Sequence, residues 1–204
     1  MIATQPMTTD LPARFAALGI AVIEYAVTGA DLARMDSAFP RLPQKTAGAR
    51  ASDFTPEAHN WLAGHQGLAE LAASLGQTPM RMSRLLAFDK SASANWFVPW
   101  HQDRAEDGRD RSCVELEQTI ALRIHLDDCD DNNGPLEVIP GSHTNGRLES
   151  GAIALLVNAQ SPLLCLAARG DIVAMRPLLV HRSQRARLPA ARRVLQIEYA
   201  PLTM

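Results

Sequence analysis

The stretch RRVLQIEYA, Arg192–Ala200, alternates between two kinds of side chain. In an extended chain, Arg192, Val194, Gln196 and Glu198 fall on one face, and Arg193, Leu195, Ile197 and Tyr199 on the other. The second face is apolar enough to pack under helices. The first is polar and suits the inside of a barrel. An arginine turned inward needs an anion there, because a buried unpaired charge is very costly.

Upstream of this strand the chain has the same texture as far back as Pro79. MRMSRLLAF, NWFVPW, TIALRIHL, LEVI, AIALLV, LLCLAA, DIVAM and LLVH follow one another as short apolar segments, all expected to be strands. Turn residues separate them: Asn132-Asn133-Gly134-Pro135, Pro140-Gly141-Ser142, Gly146, Asn158, Arg169-Gly170-Asp171, Pro177 and Pro189. Many short strands at this spacing mean a sandwich, jelly roll or barrel.

Residues 1–78 read differently. Asp10, Pro12 and Gly19 bracket a helix over LPARFAAL. IAVIEYAV reads as a strand, and Thr28 opens a second helix over GADLARMDSAF. TPEAHNWLAGHQGLAELAASLG has Thr55 as cap, Pro56 in the first turn and Gly76 as terminator, with a break near Gly64–Gly67. The expectation is one domain over residues 1–204, mainly β with N-terminal helices packed on the barrel (an α+β chain).

Bulk properties narrow the function. The chain has 204 residues, 47% apolar and 21% charged, with a formal net charge of −2. That suits an ordinary globular domain and gives no strong pull toward nucleic acid or anionic membrane. The longest apolar runs fall short of the roughly 18 residues a membrane-spanning helix needs. MIATQPMTTD lacks the basic and apolar regions of a secretory signal. Cys113, Cys129 and Cys165 are odd in number and form no C-x-x-C pair, so a reducing, cytoplasmic setting is expected, with the thiols serving as small core residues.

The chemistry centres on VPWHQDRAED, Val98–Asp107, where His101 and Asp103 stand two apart and share a strand face. A third ligand must come from another strand. His125, in an alternating strand, is one candidate. His181 lies 80 positions after His101 and carries Ser183 two residues on and Arg192 eleven residues on. A guanidinium fork and a hydroxyl together match a carboxylate. Two histidines and one carboxylate beside a carboxylate-binding arginine suit an Fe(II) oxygenase. The plain alternative makes Arg192 a surface residue paired with Glu198 or Asp171. Trp96, Phe97 and Trp100 read as core before they read as a substrate platform. Arg104, Arg109 and Arg111 lie in the charge-rich DRAEDGRDR region, expected to be solvated or a lid.

The segments FDKSASANWFVPWHQD, LRIHLDDCDDNNGPLEVIPGSHTNGRL, GDIVAMRPLLVHRS and RRVLQIEYA resemble the phytanoyl-CoA dioxygenase family, which includes ectoine hydroxylase. The resemblance spans about Leu85 to Ala200. It implies a double-stranded β-helix (a cupin-like jelly roll) and an Fe(II)- and 2-oxoglutarate-dependent dioxygenase that uses O2 to hydroxylate a C–H bond. By the same resemblance His101, Asp103 and His181 are the iron ligands. Arg192 holds the distal carboxylate of 2-oxoglutarate with Ser183 beside it, Lys90 lies near the cosubstrate, and His143 is structural. Arg123 is expected on the pocket side of its strand. Only about 15 residues separate Asp103 from the strand at Thr119, so the substrate cover is short and a coenzyme A thioester is not expected. A small, polar, anionic metabolite is. Two other readings stay open: a metal enzyme of the same barrel that does not use 2-oxoglutarate, and a non-catalytic jelly-roll binding module.

Overall fold

The computed structural model describes residues 10–40, 48–50, 53–92, 94–103, 105–106, 109–188 and 191–202; for residues 48–50, 105–106 and 109 it describes the backbone alone. Strands β1 (Ile20–Ile23), β2 (Gly48–Arg50), β3 (Met80–Lys90), β7 (Ile120–His125), β10 (Ile172–Met175) and β12 (Arg192–Pro201) form an antiparallel sheet in the order β1-β10-β7-β12-β3-β2. A second antiparallel sheet, ordered β4-β11-β8-β9, contains β4 (Val98–His101), β8 (Leu136–Val138), β9 (Leu163–Cys165) and β11 (His181–Ser183). A hairpin of β5 (Ala105–Glu106) and β6 (Arg109–Asp110) projects between them in sequence. The architecture is the expected double-stranded β-helix.

Alternation along β12 explains how the layers stack. Leu195, Ile197 and Tyr199 pack with Leu85 and Ala87 of β3 and with Ile120, Leu122 and Ile124 of β7. Against this face lie α1 (Leu11–Leu18), α2 (Gly29–Ala38), α3 (Pro56–Ala63) and α4 (Gln66–Gly76), through Phe15, Met35, Leu62 and Leu75. Each such side chain is almost wholly buried, and each burial stabilises the fold by about 1.5–3 kcal/mol before entropy is counted. A second apolar cluster fills the space between the sheets, with Val173 and Met175 from the larger sheet and Val138 and Cys165 from the smaller.

Local signals hold in the helices. Thr55 accepts the Ala58 amide at 3.2 Å, and His65 starts the helix that follows the Gly64 break by accepting the Leu68 amide through Nδ1 at 3.3 Å. Gly76 differs from expectation. It is the last helical residue, and Gln77 takes the left-handed turn at φ 53°. A Cβ on Gly76 would stand 2.4 Å from the Met80 methyl, so any larger residue would make the Met80 side chain swing aside.

Three segments depart further. AIALLV is not a strand but part of α6 (Ser150–Ala159), which buries Ile153 against Ile139 and Val180 and leaves Leu155 exposed. A six-residue apolar run fits either state, and its alanines and leucines favour the helix. LLVH is not a strand up to its last residue: Pro177 and Leu178 form a buried turn, and β11 begins at His181. A further short helix, α5 (Cys113–Gln118), opens on a capping box made by Ser112 and Glu115.

Candidate active site

His101 and His181 face each other across the β4–β11 pair as direct partners in register. Their ring centroids lie 4.1 Å apart. Asp103 follows just beyond β4, its amide held by the Pro177 carbonyl at 2.9 Å. Nε2 of His101 and Nε2 of His181 stand 3.6 and 3.7 Å from the same Asp103 oxygen. The three ligand atoms all lie within 4.8 Å of one another. At bond lengths of about 2.1 Å, adjacent vertices of an octahedron are about 3 Å apart, so a small inward adjustment closes this set on one cation.

The rings are oriented for that use. Nδ1 of His101 lies 2.8 Å from the Pro99 carbonyl, and Nδ1 of His181 lies 2.8 Å from the Leu179 carbonyl. A carbonyl only accepts, so each Nδ1 carries the proton and each Nε2 lone pair points toward Asp103. Between the two β4-side ligands, Gln102 turns the opposite way. It is buried, donates to the Gly146 and Leu178 carbonyls at 2.8 and 2.7 Å, and accepts the Leu148 amide at 2.8 Å. This anchor fixes which way His101 and Asp103 face.

Charge follows geometry. Burial holds the His181 pKa down at about 4 against the pull of Asp103. Burial also disfavours charge on His101, but the hydrogen bond and charge of Asp103 outweigh it and raise that pKa. For Asp103 burial opposes ionisation, yet the two imidazoles and Arg123 hold the carboxyl well below its usual range. The donor set is therefore two imidazoles and one ionised carboxylate, and it fits Fe(II).

The triad opens into a cavity of about 350 Å³. Across that cavity, the inward face of the larger sheet carries Arg192 and Arg123, with Lys90 behind them. Arg192 is buried, with Nε lacking any hydrogen-bond partner among the described residues. Its surface-pairing alternative does not hold: Glu198 pairs with Arg111 at 2.6 Å, and Asp171 accepts the Tyr25 and Ala168 amides at 2.9 and 2.8 Å. Arg123 lies over the Phe88 ring at 5.2 Å and donates to the Gln196 side chain. Burial and the nearby Arg192 lower its pKa to about 10.

Lys90 is fully buried. Its Nζ donates to Ser183 Oγ at 2.8 Å and to the Gln184 carbonyl, and lies 5.3 Å from the Trp96 ring. Burial, then Arg192, brings its pKa to about 7. Ser183 Oγ in turn donates a hydrogen bond to the Gly134 carbonyl at 3.0 Å. Gly134 has φ 73°, and a Cβ there would meet the Gln184 carbonyl at 2.5 Å and Lys90 Nζ at 2.9 Å.

Other expected residues divide. His125 is buried on β7 outside the triad, its pKa taken down to about 3 by burial and by Arg123 and Arg192. His143 holds the Ala16 carbonyl through Nε2 at 3.1 Å, as a structural residue would. Trp96 lines the cavity, whereas Trp100 packs on the Ile139–Val180 cluster under Arg182 and Phe97 is half exposed. Arg111 is not solvated: it is buried, bonded to Glu198 and to Thr119 Oγ1 at 2.5 Å. The side chains of Arg104 and Arg109 lie outside the described residues. Gln102, Arg84 and the Glu198–Arg111 pair were not foreseen as site elements. Alternation along MRMSRLLAF would have turned Arg84 inward with Leu86, Phe88 and Lys90, whereas nothing local marks Gln102 or Arg111.

Similarity to known proteins points the same way. L-proline trans-4-hydroxylase of Streptomyces griseoviridis is 38% identical over 89 residues, covering 42% of this chain and 31% of that protein. The match thus spans under a third of the curated relative's length. AviO1 from Streptomyces viridochromogenes Tue57 superposes with a TM-score of 0.76 at 24% identity, over 98% of this chain and 97% of its own. EctD from S. alaskensis, solved with 2-oxoglutarate and 5-hydroxyectoine, superposes with a TM-score of 0.77 at 19% identity, over 100% of this chain and 79% of its own. These likenesses speak for the fold. Residues 18–194, nearly the whole chain and both sheets' ligand positions, match the family described as phytanoyl-CoA dioxygenase (PhyH), and the protein belongs to that family.

Proposed function

We propose that the protein is an Fe(II)- and 2-oxoglutarate-dependent dioxygenase. It hydroxylates an unactivated C–H bond of a small anionic metabolite and releases succinate and CO2. One observation carries the reading: Arg192 and Arg123 line the cavity that holds the His-Asp-His cluster, with Lys90 buried behind them, and among the described residues none of the three makes an ion pair with a carboxylate. A buried Arg192 and a half-buried Arg123 without carboxylates, with Lys90 able to become charged behind them, need an anionic ligand, and a dianion meets that need.

His101, Asp103 and His181 would hold the iron. Arg192 would take the distal carboxylate of 2-oxoglutarate in a two-pronged contact, with Ser183 and Lys90 behind it and Arg123 beside the metal end. The iron, once bound with the cosubstrate and O2, supplies the oxidising power for the C–H bond. The protein's own share is placement. The Pro99 and Leu179 carbonyls fix the two rings, Gln102 fixes the turn between the ligands, and the paired sheets exclude water from below. Lys90, with a pKa near 7, can take up a proton when the dianion arrives and so match its charge.

The volume of about 350 Å³ sits at the low end of ligand cavities, which favours a small substrate over a thioester of coenzyme A. L-Proline, the substrate named for the Streptomyces relative, is the first compound to try. The whole chain is read as one catalytic domain in the cytoplasm. Supporting that, the three cysteines are free, and no helix among the described residues is long and apolar enough to cross a membrane.

The test is succinate formation by the Fe(II)-loaded protein with 2-oxoglutarate, with and without L-proline and other small metabolites. Substrate-stimulated succinate supports the reading. Product formation without any 2-oxoglutarate requirement would instead favour a metal enzyme of another kind on the same barrel. Failure to bind both iron and 2-oxoglutarate would favour a binding module.

A further inference from the structure

Arg84 is the cavity-lining cation that neither the metal cluster nor the cosubstrate anchors use. It sits on β3 opposite Glu198 of β12. Lys90, the register partner of Arg192, is six positions further along β3. Six residues of strand span about 20 Å. A five-carbon diacid reaches less than about 8 Å end to end. Arg84 and Arg192 therefore leave the sheet at well-separated points, with the backbone distance between them more than twice the length of 2-oxoglutarate.

Among the described residues Arg84 has a single anionic partner, the buried Glu198. Its one polar contact among the described residues is Nη1 to Glu198 Oε1 at 3.4 Å, a long one. Glu198 does not need it. That carboxylate is buried and already accepts from Arg111 at 2.6 Å and from Gln196 Nε2 at 3.1 Å. Glu198 is thus shared by Arg84 and Arg111, and its contact with Arg84 is the longer one. Among the described residues the other N–H groups of Arg84 find no partner, and unlike the Nε of Arg192 they are not sealed off from solvent. By contrast Arg182, on the opposite wall, is committed to Glu137 at 2.7 Å and stacks on Trp100 at 4.6 Å.

We infer that Arg84 is the specificity-determining residue of the substrate subsite and binds a carboxylate of the substrate by its guanidinium fork, with Glu198 and Arg111 holding it in place. This rests on the dioxygenase reading, which assigns the Arg192 end of the cavity to 2-oxoglutarate. The apolar side chains of Leu86 and Val98 would then border the substrate's carbon skeleton.

The experiment uses the full-length protein with Fe(II) under nitrogen. First, 2-oxoglutarate is titrated into the native protein and the variants Arg84→Gln and Arg84→Lys. Then, at saturating 2-oxoglutarate, acetate, butanoate, benzoate, glycine and L-alanine are each titrated against the matching amide, with binding followed by calorimetry and by melting temperature. Saturation blocks Arg192, so the acid–amide difference reads the second subsite. The expected result is that at least one acid binds tenfold or more tighter than its amide to the native protein. Arg84→Gln should lose that preference, Arg84→Lys should keep part of it, and all three proteins should bind 2-oxoglutarate alike. If no acid outbinds its amide, or if Arg84→Gln keeps the preference, the inference is overturned. If the native protein does not bind 2-oxoglutarate at all, the dioxygenase reading fails first, and this inference with it. Unequal melting temperatures before ligand addition would assign Arg84 to the fold and overturn its role as a ligand group.

Discussion

Replacing Arg192 with methionine should have opposite effects on the free and the cosubstrate-bound protein. In the free protein Arg192 is a buried cation whose Nε has no partner among the described residues, so an apolar chain of similar length removes a liability. Arg192→Met should melt no lower than the native protein. In the bound protein the same change removes two charge-assisted hydrogen bonds, each contributing about 1.5–3 kcal/mol. A loss of about 3 kcal/mol, at about 1.36 kcal/mol per decade, weakens 2-oxoglutarate binding by about 150-fold. At a ligand concentration of about 100 times the native Kd, the native protein gains about 2.7 kcal/mol and the variant only about 0.3. For a chain of this size that erases a melting shift of roughly 5–10 °C.

The neighbouring residue supplies the control. Arg193 turns outward, where it grips Asp127 at 2.9 and 2.7 Å and touches Asp36 at 3.1 Å. Arg193→Met should cost about 1 kcal/mol of stability or less and leave 2-oxoglutarate affinity within about twofold. Anaerobic titration of the Fe(II) protein, read from its metal-to-ligand charge-transfer band, measures both affinities. Equal weakening in the two variants would falsify the assignment of faces along β12.

Three other outcomes are expected. His101→Ala and His181→Ala should lose iron after anaerobic reconstitution, while His143→Ala keeps it and loses only about 1 kcal/mol of stability; iron retained by His181→Ala but not by His143→Ala would reverse the ligand assignment. Gly134→Ala forces a Cβ into the Gln184 carbonyl at positive φ, so stability should fall by at least about 1–2 kcal/mol and displace Lys90 and Ser183, seen as a lower melting temperature and weaker 2-oxoglutarate binding. Lys90 is depressed to about 7 from 10.5, so the unfolded chain binds more protons above neutrality. Its destabilising effect is therefore fully present below pH 7 and is relieved as pH rises. Stability should climb between pH 7 and 9 in the native protein, and Lys90→Met should flatten that slope in melting curves; an unchanged slope would rule Lys90 out as its source.

Much of this was legible because period-2 alternation is strict where one sheet face is buried. It separated Arg192 from Arg193 and turned Gln196 and Glu198 inward before any coordinates. The His-x-Asp pair and His181 were legible for a different reason: few residue types bind iron, and these three share a spacing with a known family. What stayed hidden depended on contacts across the chain. AIALLV suits strand or helix, and packing on Ile139 and Val180 decides between them. Arg111 looks like one charge among many in its loop until Glu198, 87 positions later, meets it. The middle residue of His-Gln-Asp carries no local sign that its amide will hold Gly146, Leu178 and Leu148.

The two halves of the site belong to different sheets. His101 and His181 stand on the smaller sheet, and Lys90, Arg123 and Arg192 stand on the larger. Facing sheets sit about 10 Å apart, so the span from metal ligands to carboxylate anchors is the thickness of the sandwich itself. That thickness is set by Val138, Cys165, Val173 and Met175, none of which lines the cavity. The fold works as a calliper whose jaws are opened or closed by core volume. Hydrostatic pressure or a single added methylene between the sheets becomes a change in reach between the metal ligands and the cosubstrate anchors. A larger residue at one of these four positions therefore calls for a smaller one on the facing sheet if the reach is to be kept.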